Sequence, residues 1–486
     1  MRKNVALLVV LVFLATSCVP AYLPVKAESK TITVPDDFLT IQEAINAAQE
    51  GDTIYVKKGY YEGSFNQTLE INKAITLYGE DKSATILNLS PPLVPMHIFT
   101  YEYMGYLPSI QINSNNVKIS GLTINTPGGD VIGKGDRIQI LGVTAATGFS
   151  IEGKQAKISE NTIMGHVAVF GSNNTVTNNR FEIKTEGLNL EGITPTIGCV
   201  GSNNIIANNT LATKNEKYNI KLNVEGSNNL IANNLLSTIN LKGSNNIIYK
   251  NSIKAVPGDS GVYLSHSSAN TICANRITYA ESITYQQEGV FLSESFDNVV
   301  YANNIESVFK GVYLENTDTE PMVTNNNIFY HNNFVNNQIQ AWDYTSSTTN
   351  VFDNGKEGNY WSSYNGIDAN NDGIGDSPYK PTSLYIYGDV RKTTECSPDN
   401  YPLMAPFDID NVTIKFPDWS SALLNPSSTP ISSITQHPTI NTGPEPPQTE
   451  PYPTTLAIVF ILSVAVIGVG LLVYFKKHHN NTSKSP

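Results

Sequence analysis

Residues 158–163 (ISENTI), 176–181 (VTNNRF) and 231–236 (IANNLL) are copies of the six-residue pattern that decides the fold of this chain. Each copy has Ile or Val first, Asn fourth and an apolar residue sixth. An earlier copy has Leu122 where the others have Asn. Copies recur 17 to 39 residues apart, beginning at Ile119, Ile158, Val176, Ile206, Ile231, Ile248, Ile272, Val300 and Val323. Such a repeat indicates one short structural unit stacked on the next.

The unit is too short for a strand and a helix, and its remaining residues are mostly Asn, Ser, Gly and Thr, which favour turns. Only a coil of short parallel strands buries the Ile, Val and Leu of every copy in one core. The sequence therefore predicts an all-β fold, a parallel β-helix. Asn tolerates the left-handed conformation of a corner, and stacked Asn side chains can hydrogen-bond to one another. We expect one continuous file of Asn161, Asn179, Asn209, Asn234, Asn251, Asn275, Asn303 and Asn326.

A second repeat, Gly-Val-aromatic-Leu, begins at Gly261, Gly289 and Gly311. Side chains alternate across a strand, so inward Val and Leu place the aromatic residue on the outside. This predicts a solvent-exposed column of Tyr263, Phe291 and Tyr313, which we expect to bind a ligand. Five residues after each glycine, a second column holds His266, Glu294 and Asn316. His266 and Glu294 are the candidate catalytic residues if the protein is an enzyme.

The N-terminal region contains an expected export signal followed by a capping helix. Residues 1–27 combine a basic start, an apolar stretch and a plausible cleavage site after Ala27. Thr40 and Glu43 have capping-box spacing, and an apolar face follows, so residues 40–50 are predicted to be helical. This helix would cover the open end of the core, and the β-helix is expected to span residues 28–345.

Residues 91–109 interrupt the rhythm and are rich in Tyr, Met and Pro. We expect a loop that projects between coils, because insertions in solenoids often lie on a binding face. Met and His are possible copper ligands, but Met96, His97 and Met104 have no tight ligand spacing. The alternative is an aromatic flap packed on the coils.

Residues 346–418 are expected to close the C-terminal end of the coil. Within them Asp368, Asn370, Asp372, Ile374 and Asp376 have the spacing of the first five ligand positions of a calcium-binding loop. Tyr379 stands where such a loop has Glu. We expect calcium to bind the four side chains and the Ile374 carbonyl, with an Asx-rich surface turn as the alternative.

The C-terminal region has the composition of a stalk and a membrane anchor. Residues 419–454 are rich in Pro, Ser and Thr and predict a semi-extended stalk. Residues 455–475 carry no charge and are long enough for a single transmembrane helix. Lys476 and Lys477 begin the tail 476–486, which is therefore expected to be cytoplasmic. The sequence predicts a single-pass cell-membrane protein with its N-terminal part outside.

Charge and cysteine content limit the partners. Six of the 31 basic residues lie outside residues 28–454 and none of the 43 acidic residues does, so this part carries a formal charge of −18. Such a surface disfavours nucleic acid and suits divalent cations. After removal of the signal, Cys199, Cys273 and Cys396 remain, and an odd number leaves at least one thiol unpaired or intermolecular.

Residues 32–61 resemble the entry segment of right-handed parallel β-helix proteins of the pectin-lyase-like superfamily. Residues 358–361 (GNYW), 368–376 and 400–404 (NYPLM) resemble the closing segment of its NosD-like branch, which is common among archaeal surface proteins. The resemblance covers about residues 30–406. NosD is a periplasmic accessory protein in copper-site assembly of nitrous oxide reductase, so the resemblance implies copper. The seven His of this chain form no ligand cluster, and three of them lie beyond residue 418.

Three functions remain open at this stage. We expect an anchored, outward-facing protein that binds or contacts an envelope or extracellular polysaccharide without catalysis. The first alternative is a carbohydrate-active enzyme, a polysaccharide lyase, hydrolase or epimerase on the same fold. The second is a NosD-type accessory protein for copper-site assembly.

Overall fold

The computed structural model describes residues 28–416, except 65, 99–100, 183–194, 213–219, 280–286, 317–322, 346–348 and 388–389. The described residues form three long faces of parallel strands, and the chain visits the faces in a fixed order on every circuit. This is the predicted parallel β-helix. The predicted signal peptide, transmembrane helix and tail lie outside the described residues, as does the stalk.

The first face is one sheet of 13 strands, in which each strand pairs in parallel with the next along the axis. Its strands are Thr31–Val34, Thr53–Val56, Thr76–Gly79, Lys118–Ser120, Gln139–Leu141, Lys157–Ser159, Thr175–Thr177, Ile205–Ala207, Leu230–Ala232, Ile247–Tyr249, Thr271–Cys273, Val299–Tyr301 and Ile328–Tyr330.

The second face consists of a 7-stranded sheet followed by a 6-stranded sheet. The first of these contains Gly59–Glu62, Thr85–Asn88, Thr123–Asn125, Thr144–Ala145, Thr162–Ile163, Arg180–Glu182 and Thr210–Ala212. The other contains Leu235–Leu236, Ser252–Ala255, Arg276–Tyr279, Asn304–Glu306, Asn333–Val335 and Tyr360–Trp361.

The third face is a 12-stranded parallel sheet, and it carries the predicted aromatic column. Its strands are Leu69–Ile71, Ile110–Ile112, Val131–Lys134, Phe149–Glu152, Val167–Phe170, Thr196–Val200, Lys221–Glu225, Thr238–Lys242, Val262–Ser265, Glu288–Ser293, Lys310–Glu315 and Ile339–Asp343.

The predicted excursion at residues 91–109 is an antiparallel hairpin of Leu93–Ile98 and Tyr101–Tyr106. A second antiparallel hairpin, Thr382–Tyr387 with Val390–Glu395, belongs to the closing segment. Each hairpin satisfies its own backbone hydrogen bonds, so it can leave the coil without breaking the parallel ladder.

The first residues of the repeat stack in register in the core, as predicted, from Ile119 to Val300. The last coil differs, because Phe329 and not Val323 follows Val300 in the stack. The repeat in this coil is therefore Phe329, Asn332 and Phe334, six residues later than expected. The predicted pattern allowed only Ile or Val at its first position, whereas Phe329 fills this core position in the last coil.

The fourth residues of the repeat form a ladder of buried amides, which we call the first asparagine ladder. Each side-chain oxygen accepts the backbone N–H and side-chain amide of the preceding asparagine, as Asn251 does from Asn234 at 3.0 Å in both bonds. The predicted file is confirmed from Asn161 to Asn303, whereas Asn326 is exposed and lies outside it. The ladder consists of Asn161, Asn179, Asn209, Asn234, Asn251, Asn275, Asn303, Asn332 and Asn359.

A second asparagine ladder, which the sequence analysis missed, lies at the corner between the third face and the first. Its members are Asn174, Asn204, Asn229, Asn246, Asn270, Asn298, Asn327 and Asn350. Most of them stand five residues before a member of the first ladder, and this constant offset was the available signal. The glycine that starts each Gly-Ser-Asn-Asn turn stacks on the previous one. A Cβ at Gly201 would meet the Gly171 carbonyl oxygen at 2.0 Å, so no other residue fits.

A helix at Ile41–Ala47 covers the N-terminal end of the core, and it is the one helix among the described residues. Its predicted capping box is present, since Thr40 and Glu43 each accept the other's backbone N–H. The helix is shorter than predicted because Ala48 is extended, and the Lys73 ammonium binds the Asn46 and Ala48 carbonyls at 2.7 Å. Within the described part of the chain, nothing helical has the length and apolarity needed to cross a membrane.

The end of the closing segment, residues 407–416, runs back along the outside of the coil, where it contacts the second face and then the first. Asn333 binds the backbone of Phe407 through both its amide oxygen and its amide nitrogen. The Arg276 guanidinium contacts both carboxylate oxygens of Asp410 at 2.7 Å. The Tyr249 hydroxyl then donates to the Val412 carbonyl at 2.9 Å. This segment covers apolar side chains on the outer surface of the last coils.

Candidate functional site

Tyr263, Phe291 and Tyr313 lie on three adjacent strands of the third face and point outward, in the predicted register. The ring centroids of Tyr263 and Phe291 are 4.8 Å apart, and those of Phe291 and Tyr313 are 4.9 Å apart. Each residue is half-buried, whereas the sequence predicted a solvent-exposed column. The reason is that the coil spacing stacks the rings on one another, so their edges and not their faces meet solvent.

The aromatic column continues beyond the three predicted residues. Trp342 packs edge-on against Tyr313 at 5.8 Å and is buried. At the other end, Asn240 pairs with Tyr263 in the sheet, and its amide donates to the Asn223 side chain at 2.9 Å. The outer surface therefore presents two linked amides followed by three aromatic rings in one line along the axis.

The column lies in an acidic environment. The Tyr313 hydroxyl donates to Glu315 at 2.6 Å, and burial together with this hydrogen bond raises the pKa of Tyr313. Burial, followed by the negative charges of Glu294 and Glu315, also raises the pKa of Tyr263. The Tyr263 hydroxyl therefore lies in the negative field of Glu294 and Glu315, and the Tyr313 hydroxyl in that of Glu315.

One cation touches the rings, but a carboxylate neutralises it. The Lys310 ammonium lies 3.9 Å from the Tyr313 ring centroid and 5.1 Å from that of Trp342. It also contacts Glu288 at 2.9 Å, with both side chains about 10% exposed. Because Lys310 and Glu288 neutralise each other, the electrostatic field at the column is set by Glu294 and Glu315.

The candidate catalytic residues occupy the turn that follows the column. His266 and Glu294 lie at equivalent positions of adjacent coils, and both have positive φ, at 50° and 46°. Glu294 is buried and accepts a hydrogen bond from the Ser293 hydroxyl at 2.5 Å. The amide of Asn316, the third member of this column, donates to the Thr345 carbonyl at 3.3 Å. The Glu294 carboxylate is thus held inside the turn and does not stand free at the surface.

The predicted calcium loop is exposed, and its acidic side chains bind its own backbone. Asp368 accepts the N–H of Gly373 at 2.9 Å, Asp372 that of Ile374 at 2.9 Å, and Asp376 that of Ala369 at 2.9 Å. The Asn370 amide donates to Asp372. Gly373 supplies the sharp bend with a φ of 86°. These bonds shape the loop as the alternative Asx turn requires.

The candidate copper donors Met96 and His97 lie where the structure does not describe side chains. Nowhere in the described ranges do three or more His, Cys, Asp or Glu side chains gather as metal ligands would. Cys199, Cys273 and Cys396 are buried free thiols, and burial raises their pKa to about 12, 11 and 12. They stay protonated at neutral pH, whereas metal binding needs the thiolate.

Asp399 is a buried structural residue of the closing segment that the sequence analysis missed. Its fully buried carboxylate accepts the N–H groups of Asn359 and Tyr401 and the indole N–H of Trp361. A Cβ on Gly358 would approach its oxygen to 1.8 Å, so this position must be glycine. The motif at residues 358–361 therefore provides the binding site for the Asp399 carboxylate. Only the contact between residues 40 positions apart reveals this role.

The comparisons with known proteins find partial matches to NosD proteins. The family model described as periplasmic copper-binding protein (NosD) matches residues 194–366. The probable ABC transporter binding protein NosD of Stutzerimonas stutzeri is 30% identical over 145 residues, which cover 27% of this chain and 32% of that protein. Its counterpart in Pseudomonas aeruginosa is 24% identical over 144 residues, with the same coverage. The chain thus spans about a third of the length of the curated relatives it matches.

Solved structures similar to this chain include the A-module of the Azotobacter vinelandii mannuronan C-5 epimerase AlgE6, at 17% identity and a TM-score of 0.35, covering 64% of this chain and 94% of that one. The Dettilon tailspike protein is 13% identical with a TM-score of 0.45 and covers 76% of each chain. By its own strand topology the protein is a parallel β-helix. In sequence it is similar to NosD proteins over part of its length, residues 194–366 for the family model.

Proposed function

We propose that this protein is an outward-facing surface protein that binds a polysaccharide along its third face without chemistry. The observation that carries the proposal is the line formed by Asn223, Asn240, Tyr263, Phe291 and Tyr313 on consecutive strands. Amides and tyrosine hydroxyls hydrogen-bond to sugar hydroxyls, and the half-exposed rings add apolar contact area. A linear polymer laid along the axis meets one such residue about every 4.8 Å, the spacing of the strands.

The proposed location is outside the cytoplasm, with a C-terminal anchor. The sequence of residues 455–475 supports the anchor, and that of residues 1–27 supports export. The word periplasmic in the description of the matching family supports the location. The formal charge of −18 on residues 28–454 fits an exposed, well-solvated surface.

Neither alternative function has comparable support. The predicted catalytic pair does not support an enzyme, because Glu294 is buried in its turn. The copper role belongs to the description of the family, and the buried, protonated thiols do not suit it. The polysaccharide-binding proposal needs only the hydroxyl, amide and aromatic surface that the third face presents.

Screening the purified residues 28–416 on an array of mannan, cellulose, chitin, alginate and pectate tests the proposal. We expect binding to at least one polysaccharide, with no release of reducing or unsaturated sugars. Phe291→Ala should weaken binding roughly tenfold, or about 1.4 kcal/mol, because it removes the central ring of the column. Equal binding by the variant, or no binding on the array, would contradict the proposal.

Tyr55→Ala is the matched control for Phe291→Ala. Tyr55 and Tyr78 form a similar stacked pair at 6.0 Å on the first face, far from the column. This variant loses a comparable ring contact and should bind like the unmodified protein. Melting temperatures of both variants separate a loss of binding from a loss of folding.

The proposal includes calcium binding at residues 368–376 as a structural element. The loop has three carboxylates and an amide within nine residues, and a bound cation would reduce the repulsion among the carboxylates. The loop also adjoins the rest of the segment that closes the coil. Backbone bonds from Gly375 to Pro402 and from Met404 to Gly373 join the loop to that segment. Calcium would therefore stabilise the closure without taking part in a reaction.

Adding 10 mM calcium should stabilise the protein by about 1–3 kcal/mol, if the dissociation constant is about 10⁻⁴–10⁻³ M as in extracellular modules. Calorimetry measures the resulting rise in melting temperature. Asp372→Ala should abolish the rise, whereas Asp297→Ala, which alters an exposed acid on another turn, should retain it. Identical melting curves with and without calcium would leave the Asx turn as the sufficient explanation.

A further inference from the structure

A second polar pair lies on the third face, four strands away from the aromatic column. Asp130, Gly148 and His166 precede three adjacent strands of this face, and backbone bonds join Val131 to Gly148 and Phe149 to His166. Val131 and Val167 are buried, so Asp130 and His166 point outward, to the same side as the aromatic column.

The pair is built by the strands and turns around it. One oxygen of Asp130 accepts the Thr147 hydroxyl and the Gly148 N–H, both at 3.0 Å. This leaves its other oxygen facing the His166 imidazole at 3.4 Å. A Cβ on Gly148 would lie 2.8 Å from both side chains, so the glycine allows them to meet across one coil. The side chains are 32% and 44% exposed, and their remaining polar edges face solvent.

Among the described residues, small side chains line the surface between this pair and the aromatic column. Ala168, on the strand that follows His166, and Gly198, on the next strand, occupy the column position, and Asn223 follows them in register. A Cβ added at Gly198 would make only ordinary contacts, the nearest with Ala168 at 3.9 Å. The partly exposed Phe170 and Val200 lie alongside and offer apolar contact.

We infer that the Asp130–His166 pair is a second subsite for the polysaccharide chain that lies along Tyr263. This inference rests on the proposed function. Four strand intervals separate His166 from Tyr263, which is about 19 Å along the axis. A polymer that contacts the column crosses this surface and offers its hydroxyls to the carboxylate and the imidazole. The acids at both ends select a neutral chain over a polyanion, because a second anionic group next to them would be repelled.

The experiment uses oligomers of whichever polysaccharide binds on the array, sorted into lengths below about 10 Å and above about 25 Å. We expect the long oligomers to bind at least about tenfold more tightly than the short ones, because the second contact is intramolecular. His166→Ala should remove this advantage and leave short oligomers unaffected. His166→Gln retains hydrogen-bonding capacity and should restore part of it.

Gly198→Leu provides an independent test, because the side chain would project into the path of the polymer while the sheet accommodates its Cβ. It should abolish the advantage of long oligomers at an unchanged melting temperature. Thr162→Leu, on the second face of the coil that carries His166, is the matched control and should bind normally. Equal affinity for both lengths, or full length dependence in His166→Ala and Gly198→Leu, would overturn the second subsite while the column remains a binding site. Binding of neither length would refute both proposals.

Discussion

Asp399→Asn should destabilise the C-terminal coils by about 2 kcal/mol at pH 7.5. The Asp399 carboxylate accepts four N–H hydrogen bonds, from the backbone and side-chain amides of Asn359, the Trp361 indole and the Tyr401 backbone. An amide of the same shape turns an NH₂ group toward at least one of these donors and leaves it unsatisfied in a fully buried site. Tryptophan fluorescence during denaturant unfolding measures the effect, since Trp361, one of the three tryptophans, is among the donors.

The matched control is Asp297→Asn, the same change on an exposed turn. It should alter stability by less than about 0.5 kcal/mol, since surface substitutions rarely matter more. If the two variants unfold at the same denaturant concentration, Asp399 does not hold the closing segment.

Asp399 also predicts a pH dependence. Burial raises its pKa to about 6, above the ordinary 3.8, although its hydrogen bonds oppose the shift. A raised pKa means that the folded state holds the proton more tightly than the unfolded chain. The stabilising contribution is therefore fully present below pH 3.8 and is lost as pH rises through 6. Between pH 7.5 and 5 the unmodified protein should gain roughly 1 kcal/mol relative to Asp399→Asn, as measured by unfolding at both pH values.

Asn234→Leu should cost about 3–4 kcal/mol, because it removes the middle of a buried amide ladder. The Asn234 oxygen accepts two bonds from Asn209, and its amide donates to Ile206 and Asn251. Leucine matches the volume but leaves the backbone N–H of Asn209 without its acceptor inside the corner. Guanidinium unfolding followed by circular dichroism measures the loss.

Asn125→Leu is the comparison for this substitution. Asn125 is exposed on the second face and makes a single side-chain bond, to Asn88 at 2.7 Å. Its replacement should cost less than about 1 kcal/mol. A similar loss in the two variants would mean that burial of the ladder does not determine its contribution.

The amino-acid sequence by itself determined the coil, its capping helix and most of its register. These features are local, since each coil contacts mainly its neighbours and repeats the same Ile-x-x-Asn-x-apolar pattern. The capping box at Thr40 and Glu43 and the alignment of Tyr263 with Phe291 and Tyr313 were predicted for the same reason. A contact between equivalent positions of adjacent repeats can be inferred from periodicity alone.

The tertiary structure alone decided features that depend on distance between coils or on remote segments. The strand spacing packs the aromatic rings on one another and leaves them half-buried. This degree of burial could not be predicted from the pattern of residue types. Asp130 meets His166 because Gly148 lies between them, and Asp399 reaches Asn359 from 40 residues away. Asn359 and Asp399 have no common repeat position, so only the closed coil brings them within hydrogen-bonding distance.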